Sequence, residues 1–263
     1  MKLVRFKTGS EIKWGVYENN AVKSIKGCPY GEFTVTDEVF SPDDIEHLAP
    51  VSPKHLIAIG KSYRKHIDEM SLRRGVEAEY PTKPIFFFEA PGAIIAHGQN
   101  IVLPPEGTCS HVDLEGELAI VIGKKAKNVS QEEALEYVLG YTIANDVSAR
   151  SIPDIGGLWG IGLSKSLDTF SPMGPWIETD VGNPNDLRIV TKVNGETAQD
   201  SNTKDMIFTV EEYVSYCSSR LTLYPGDVIM TGTPEGVRPI QAGDIIEISI
   251  DQIGALRNPV VGG

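Results

Sequence analysis

Glu115-Gly116-Glu117 sets two carboxylates either side of a glycine at the start of an apolar run, and Asp146 closes the next apolar run. In a strand, residues i and i+2 share a face, so the two glutamates point the same way. Like charges at that spacing repel, and their burial is unfavourable unless something cationic compensates it. Hard oxygen ligands of this kind suit Mg²⁺, Mn²⁺ or Ca²⁺ far better than zinc. A lone E-x-E on a solvated strand edge needs no metal, so the flanking residues decide between the two readings.

His66 and Glu69 lie three apart in the charged segment 61–75, hence on one face if that segment is helical. A carboxylate that holds one imidazole nitrogen leaves the other as a general base toward water. Lys165 stands where the glycine-rich stretch 151–162 gives way to apolar sequence. Thr231-Gly232-Thr233-Pro234-Glu235-Gly236 reads as a strand end running into a turn, whose backbone N–H groups and hydroxyl suit a carboxylate or oxyanion.

Other motifs fail. Gly60-Lys61-Ser62 ends like a phosphate-binding loop, but His55 stands where that loop needs glycine. Gly160-Ile161-Gly162 follows a loop rather than a strand and opens no helix, unlike a dinucleotide fingerprint. There is no G-x-S-x-G and no H-E-x-x-H. His47, His55, His97 and His111 have no partner at a telling spacing and read as surface or packing residues.

The elements that must position these groups are mostly short strands. Alternation at 3–6 and 14–17, an Asn19-Asn20 turn and 21–25 predict a small antiparallel unit. Ser41-Pro42-Asp43-Asp44 reads as a helix start, and Ala49-Pro50-Val51-Ser52-Pro53 as a stiff boundary. Domains of 1–53 and 54–263 follow. Strands are expected at 55–60, 85–88 (buried), 117–123, 141–146, 187–193 and 228–231. Ser130-Gln131-Glu132-Glu133 and Thr209-Val210-Glu211-Glu212 are capping boxes, expected to open helices to about 139 and 220. A strand, a short helix and a strand would form a compact crossover that returns Asp146 beside Glu115 and Glu117. Pro225-Gly226-Asp227 and Ala242-Gly243-Asp244 are matching turns, each opening an apolar strand. The fold class is mainly β (α+β), a sandwich, roll or barrel-like core with a few short helices.

At 263 residues the chain can bury a substantial core. A net charge of −12 argues against a nucleic-acid surface, though a bound divalent cation would still let an anion approach. Three cysteines without a zinc or disulfide spacing fit a reducing compartment. The charged, alternating start reads as a strand rather than a signal peptide, and no apolar run reaches the ~18 residues of a membrane span. A cytoplasmic, soluble protein is expected.

Asp113-Leu114-Glu115-Gly116-Glu117-Leu118-Ala119, then the block 141–150, then 165–175, 231–237 and 253–260, occur in the order found in one family. The chain resembles the fumarylacetoacetate hydrolase family from about residue 55 onward, with the first fifty residues similar to the β appendage of many bacterial members. The resemblance implies a mixed β-sandwich roll, a homodimer, and a Mg²⁺ or Mn²⁺ site (Ca²⁺ able to stand in within crystals) held by Glu115, Glu117 and Asp146. It implies catalytic roles for His66, Glu69 and Lys165, with the segment around His66 closing over the substrate. Arg150, Thr233 and Gly232 are the implied substrate contacts. The substrate would be a small anionic diketo acid, and no nucleic acid or membrane partner is expected. Two departures stand out: Glu89 replaces the lysine of many small members, and Pro153 replaces a glutamine. Both positions are expected to touch substrate, and Trp159 could supply a replacement.

The leading expectation is metal-dependent hydrolysis of the C–C bond of 1,3-diketo acids such as acylpyruvates or fumarylpyruvate, with His66 and Glu69 activating water and Lys165 facing the developing oxyanion. The alternative keeps the metal and omits water: oxaloacetate decarboxylation or tautomerisation, or isomerisation of a dienedioate. A catalytically silent binding protein is a third reading, opposed by the presence of both His66 and Glu69.

Overall fold

The computed structural model describes residues 1–152 and 159–263. The protein is mainly β, with three α-helices among the described residues: α1 (Arg64–Arg74), α2 (Trp159–Ser164) and α3 (Val210–Arg220). The largest sheet has 12 strands. Its path runs Phe33–Phe40, Ala21–Gly27, Glu11–Glu18, Lys2–Thr8, Ser171–Glu178, Val138–Asn145, Gly116–Ile122, Val228–Met230, Leu56–Gly60, Ile85–Glu89. The N-terminal strands therefore continue the sheet that carries the acid cluster, joined where Lys2 and Leu3 pair with Glu178 and Ile177.

A second sheet, Glu196–Asn202, Arg188–Val193, Ile245–Ile250, Gly254–Gly262 and Ile101–Leu103, packs against the first. Leu118, Ile120 and Ile122 meet Ile189, Val193, Ile246, Ile248 and Ile250 in one core. Ala119 and Val121, on the opposite face of the same strand, join Leu56, Ala58, Met173, Ile177, Val228 and Met230 in another. This parity gives the glutamates their direction. Glu115 and Glu117 share a face with Ala119, whereas Gly116 looks toward the second sheet. A Cβ on Gly116 would lie 2.3 Å from Thr191 Oγ1 and 3.1 Å from Gln199 Oε1. The glycine between the acids is what lets the sheets close at this point.

Several elements depart from the sequence expectations. The Ser41 start caps only a 3₁₀ turn, Pro42–Asp44, and the Ser130 box leads only to Ala134–Tyr137. A capping residue marks where a helix begins but not how far it runs, and in both places a strand follows within a few residues. Thr209 does open a full helix, with both bonds of the capping box present. The connection between Gly116–Ile122 and Val138–Asn145 is not a crossover: the two strands pair antiparallel, Gly116 opposite Asn145. Ile85–Glu89 is not buried but an edge strand, with Ile85 and Phe88 exposed. Residues 159–162, expected at the end of a loop over 151–162, lie instead in α2. Pro153 and the side chain of Trp159 lie outside the described residues. Among the described residues no helix is long and apolar enough to cross a membrane.

Candidate metal centre and active site

The antiparallel ladder places Asp146 one residue beyond the end of its strand, where its N–H donates to Glu115 O at 2.8 Å. Carboxylate oxygens of Glu115, Glu117 and Asp146 thereby fall within 4.8 Å of one another, all buried. Asn145 Oδ1 accepts from Glu115 N–H at 3.0 Å, and Gly232 N–H donates to Glu117 Oε2 at 2.7 Å. The turn that supplies Gly232 is fixed by Thr231, whose hydroxyl donates to Leu118 O at 2.9 Å. Gly232 has φ +87°, and a Cβ there would lie 1.9 Å from Ser62 Oγ.

Lys165 emerges just after α2. Ser166 Oγ anchors this segment, donating to Gly162 O at 2.6 Å and accepting from Ala90 N–H at 2.9 Å. The Lys165 ammonium is buried and donates to Glu115 Oε2 at 2.7 Å, to Ser148 Oγ at 2.8 Å and to Asp146 Oδ2. Arg150 donates to Asp113 Oδ2 through Nε at 2.8 Å and to Glu115 Oε1 through Nη2. Glu89, at the end of its edge strand, is 4% exposed beside this cluster, with Ser171 Oγ 3.5 Å from Oε2.

Electrostatics follow from burial and these partners. Burial pushes the Glu115 carboxyl up, but Lys165 and Arg150 outweigh it and bring it down to about 2. Burial raises Asp146 to about 6 against the pull of Lys165. Glu117 and Glu89 are raised well above the carboxylate range by burial first and then by the neighbouring Asp146. Burial works against the charge on Lys165, yet Asp146 and Glu115 hold it above the usual lysine range. The cluster is short of positive charge. A divalent cation fits it: the donors are hard oxygens, they converge, and Asp146 Oδ1 is buried with no partner among the described residues.

Helix α1 is tied to the turn beyond Gly232, Arg73 Nη2 donating to Val237 O at 2.7 Å. Ile67 is its one buried residue, and Gly75 ends it in a left-handed conformation, φ +66°, with Arg73 and Arg74 favourably placed in the last turn. His66 is held below the ordinary histidine range by burial, with Glu115 and Glu69 pulling it partly back. The expected bond between Glu69 and His66 is not made. Glu69 Oε1 accepts from Arg73 Nη2 at 2.6 Å, and Oε2 accepts from Gly236 N–H at 3.0 Å. His66 Nδ1 is buried without a hydrogen-bond partner among the described residues.

The implied substrate contacts are also occupied within the protein. Arg150 is paired with two carboxylates, and Gly232 N–H is committed to Glu117. Thr233 Oγ1 donates to Gly116 O at 3.0 Å and accepts from Gln199 Nε2 at 2.8 Å. All three hold the acid-bearing strand in this arrangement. Sequence reasoning missed Gln199, which is 1% exposed. Its Oε1 accepts from Gly116 N–H at 3.0 Å while Nε2 also donates to Pro234 O at 2.9 Å. It sits in a largely polar strand with no periodic signal to mark it. His55 is a packing residue, bonded to the buried Asp227 at 2.8 Å.

The profile of the fumarylacetoacetate (FAA) hydrolase C-terminal region matches residues 55–261, and that of the Rv2993c-like N-terminal region matches residues 1–50. The chain belongs to the fumarylacetoacetate hydrolase family. It is 40% identical over 233 residues to oxaloacetate tautomerase YisK of Bacillus subtilis, covering 84% of this chain and 75% of that protein. The crystal structure of 5-carboxymethyl-2-hydroxymuconate delta-isomerase from Mycobacterium smegmatis superposes with a TM-score of 0.89 at 38% identity, covering 100% of both chains. Maleylpyruvate hydrolase from Sphingobium sp. SYK-6, solved with manganese(II) and pyruvate, gives 0.80 at 28% identity, again over 100% of both chains. Tautomerase, isomerase and hydrolase names thus all occur among relatives of this fold.

Proposed function

We propose that the protein is a divalent-metal-dependent enzyme of small α-keto acids that catalyses keto–enol tautomerisation, with oxaloacetate as the substrate tested first. The observation that carries this reading is the commitment of Glu69 to Arg73 and Gly236 N–H. Activating water for attack on a carbonyl calls for an imidazole whose basicity is reinforced by a bonded carboxylate. Moving a proton from a carbon flanked by two carbonyls asks less of the base. Neutral His66, kept neutral by burial, suffices for it. The relatives named oxaloacetate tautomerase, at 39–40% identity, support the same choice.

Glu115, Glu117 and Asp146 would hold Mg²⁺ or Mn²⁺, which when bound polarises an α-keto carbonyl as a Lewis acid. His66 Nε2 takes the proton from the carbon between the carbonyls and returns it to the carbonyl oxygen, so no water is consumed. Lys165 keeps its proton throughout and, with its three N–H groups given to Glu115, Asp146 and Ser148, acts on the oxygen where charge builds through its positive field. Helix α1 keeps bulk water from the centre. Arg150, Gly232 and Thr233 support the acid cluster first and reach substrate only through any remaining N–H or lone pair. Glu89, its carboxyl raised well above the carboxylate range by burial and by Asp146, stands beside Lys165 as a neutral group that adds no negative charge to that side.

Hydrolysis of acylpyruvate-like diketo acids is the second reading. It is favoured by His66 and Glu69 sharing a helix, close enough for Glu69 to influence the imidazole. Rotation of Glu69 away from Arg73 would assemble the water-activating pair. Homodimer assembly and a cytoplasmic location belong to this proposal and rest on the sequence reading. The test is to follow loss of enol absorbance from oxaloacetate with Mg²⁺, with Mn²⁺ and with a chelator, and to assay acid release from an acylpyruvate in parallel. Metal-dependent acceleration of the first without the second supports tautomerisation. Free acid from the acylpyruvate at a comparable rate would replace it with hydrolysis.

A further inference from the structure

Asp113 is buried, 1% exposed, and lies two residues before Glu115 on the short strand His111–Asp113. That strand pairs antiparallel with Ser148–Arg150, setting Asp113 opposite Ser148 and His111 opposite Arg150. Arg150 reaches back across this pairing to bridge two carboxylates, giving Nε to Asp113 Oδ2 at 2.8 Å and Nη2 to Glu115 Oε1. Asp113 Oδ1 has no hydrogen-bond partner among the described residues, and His111 Nε2 stands 3.6 Å away. A buried carboxylate with one oxygen unbonded is unfavourable by itself, so its place beside Arg150 asks for a reason.

The chemistry of guanidinium supplies one. Arginine clamps a carboxylate most strongly through two parallel N–H bonds, and the Nε–Nη2 edge is one such fork. Here Asp113 occupies Nε, so that edge can give Glu115 only one bond. Glu115 Oε2 then answers to Lys165 alone, and Glu115 stays oriented toward Glu117 and Asp146. Without Asp113, Arg150 could turn its whole edge onto Glu115 and compete with a cation for both oxygens.

We propose that Asp113 is a positioning residue: by holding Arg150 Nε it restrains Arg150 to a single bond with Glu115 and keeps Glu115 available as a ligand for a divalent cation. This rests on the metal reading of the cluster above. The test is a double-mutant cycle read by calorimetric titration of the full chain with Mn²⁺. The variants are Asp113→Asn, close in shape so that folding is preserved, Arg150→Gln, and both together. Asp113→Asn is expected to weaken Mn²⁺ binding about 10-fold, the lower end for loss of an outer partner of a ligand. In the Arg150→Gln background the same change is expected to have no effect, because no guanidinium remains to clamp Glu115. Unchanged affinity in Asp113→Asn, or an equal loss in both backgrounds, would overturn the proposal. Failure of the unsubstituted protein to bind Mn²⁺ would instead sink the metal reading, and this inference with it.

Discussion

Replacing Lys165 with methionine tests the electrostatic account of the centre without reference to catalysis. The ammonium is buried and bonded to Glu115, Asp146 and Ser148. Methionine fills a similar volume and removes the charge. Taking one partner from a buried ion pair typically destabilises by about 3–5 kcal/mol, because the remaining charge is left uncompensated. With 263 residues and an unfolding entropy of about 2.1 cal/mol/K per residue, each kcal/mol shifts Tm by roughly 2 °C. The metal-free variant should therefore melt about 5–9 °C lower than the parent near pH 7. Near pH 5 the deficit should shrink, since carboxylates already raised by burial then accept protons and need less compensation. Saturating Mn²⁺ should also narrow it by supplying positive charge at the same acids. Scanning calorimetry with chelator, at both pH values and with added Mn²⁺, measures each part. A drop under about 2 °C in the metal-free protein, or a deficit that grows on acidification, would refute the reasoning.

Three further outcomes follow. His66→Gln should lower kcat/KM by about 10²–10⁴-fold while leaving Mn²⁺ affinity unchanged by calorimetry; retained turnover removes His66 from the proton transfer. Because burial lowers the His66 pKa from 6.5 and the neutral form is the active one, kcat/KM should fall only as pH drops through a midpoint below 6.5. A midpoint above that value contradicts the assignment. Gly116→Ala puts a Cβ 2.3 Å from Thr191 Oγ1, and overpacking of this kind should cost about 1–3 kcal/mol by denaturant titration. Adding Thr191→Ala should recover part of it, and no recovery would show that the contact is not the cause.

Local patterns in the chain were enough to locate the acid cluster. The i, i+2 relation of Glu115 and Glu117 sets their common face, and Asp146 follows the strand that pairs with theirs. The turns at Gly226 and Gly243, with φ +89° and +97°, and the Thr209 capping box were legible for the same reason: each is decided within a few residues. What spacing does not carry is the partner of a side chain far along the sequence. Gln199 meets Gly116 across 83 positions, and Gly232 meets Glu117 across 115. Turn and arginine residues that looked open to substrate are thus taken up by the protein itself. Glu69 shares a helix face with His66 as expected, yet Gly236, 167 positions away, competes for its carboxylate. The apolar run at 85–88 looked buried because composition does not say whether a strand has one neighbour or two.

The most direct test of the central claim is enol-to-keto conversion of oxaloacetate by the purified chain, compared with free metal at equal concentration and with the Glu117→Gln variant. Metal-dependent acceleration above the free-ion background, lost in Glu117→Gln, is the predicted result. Equal rates for the parent, the variant and the metal alone would contradict it.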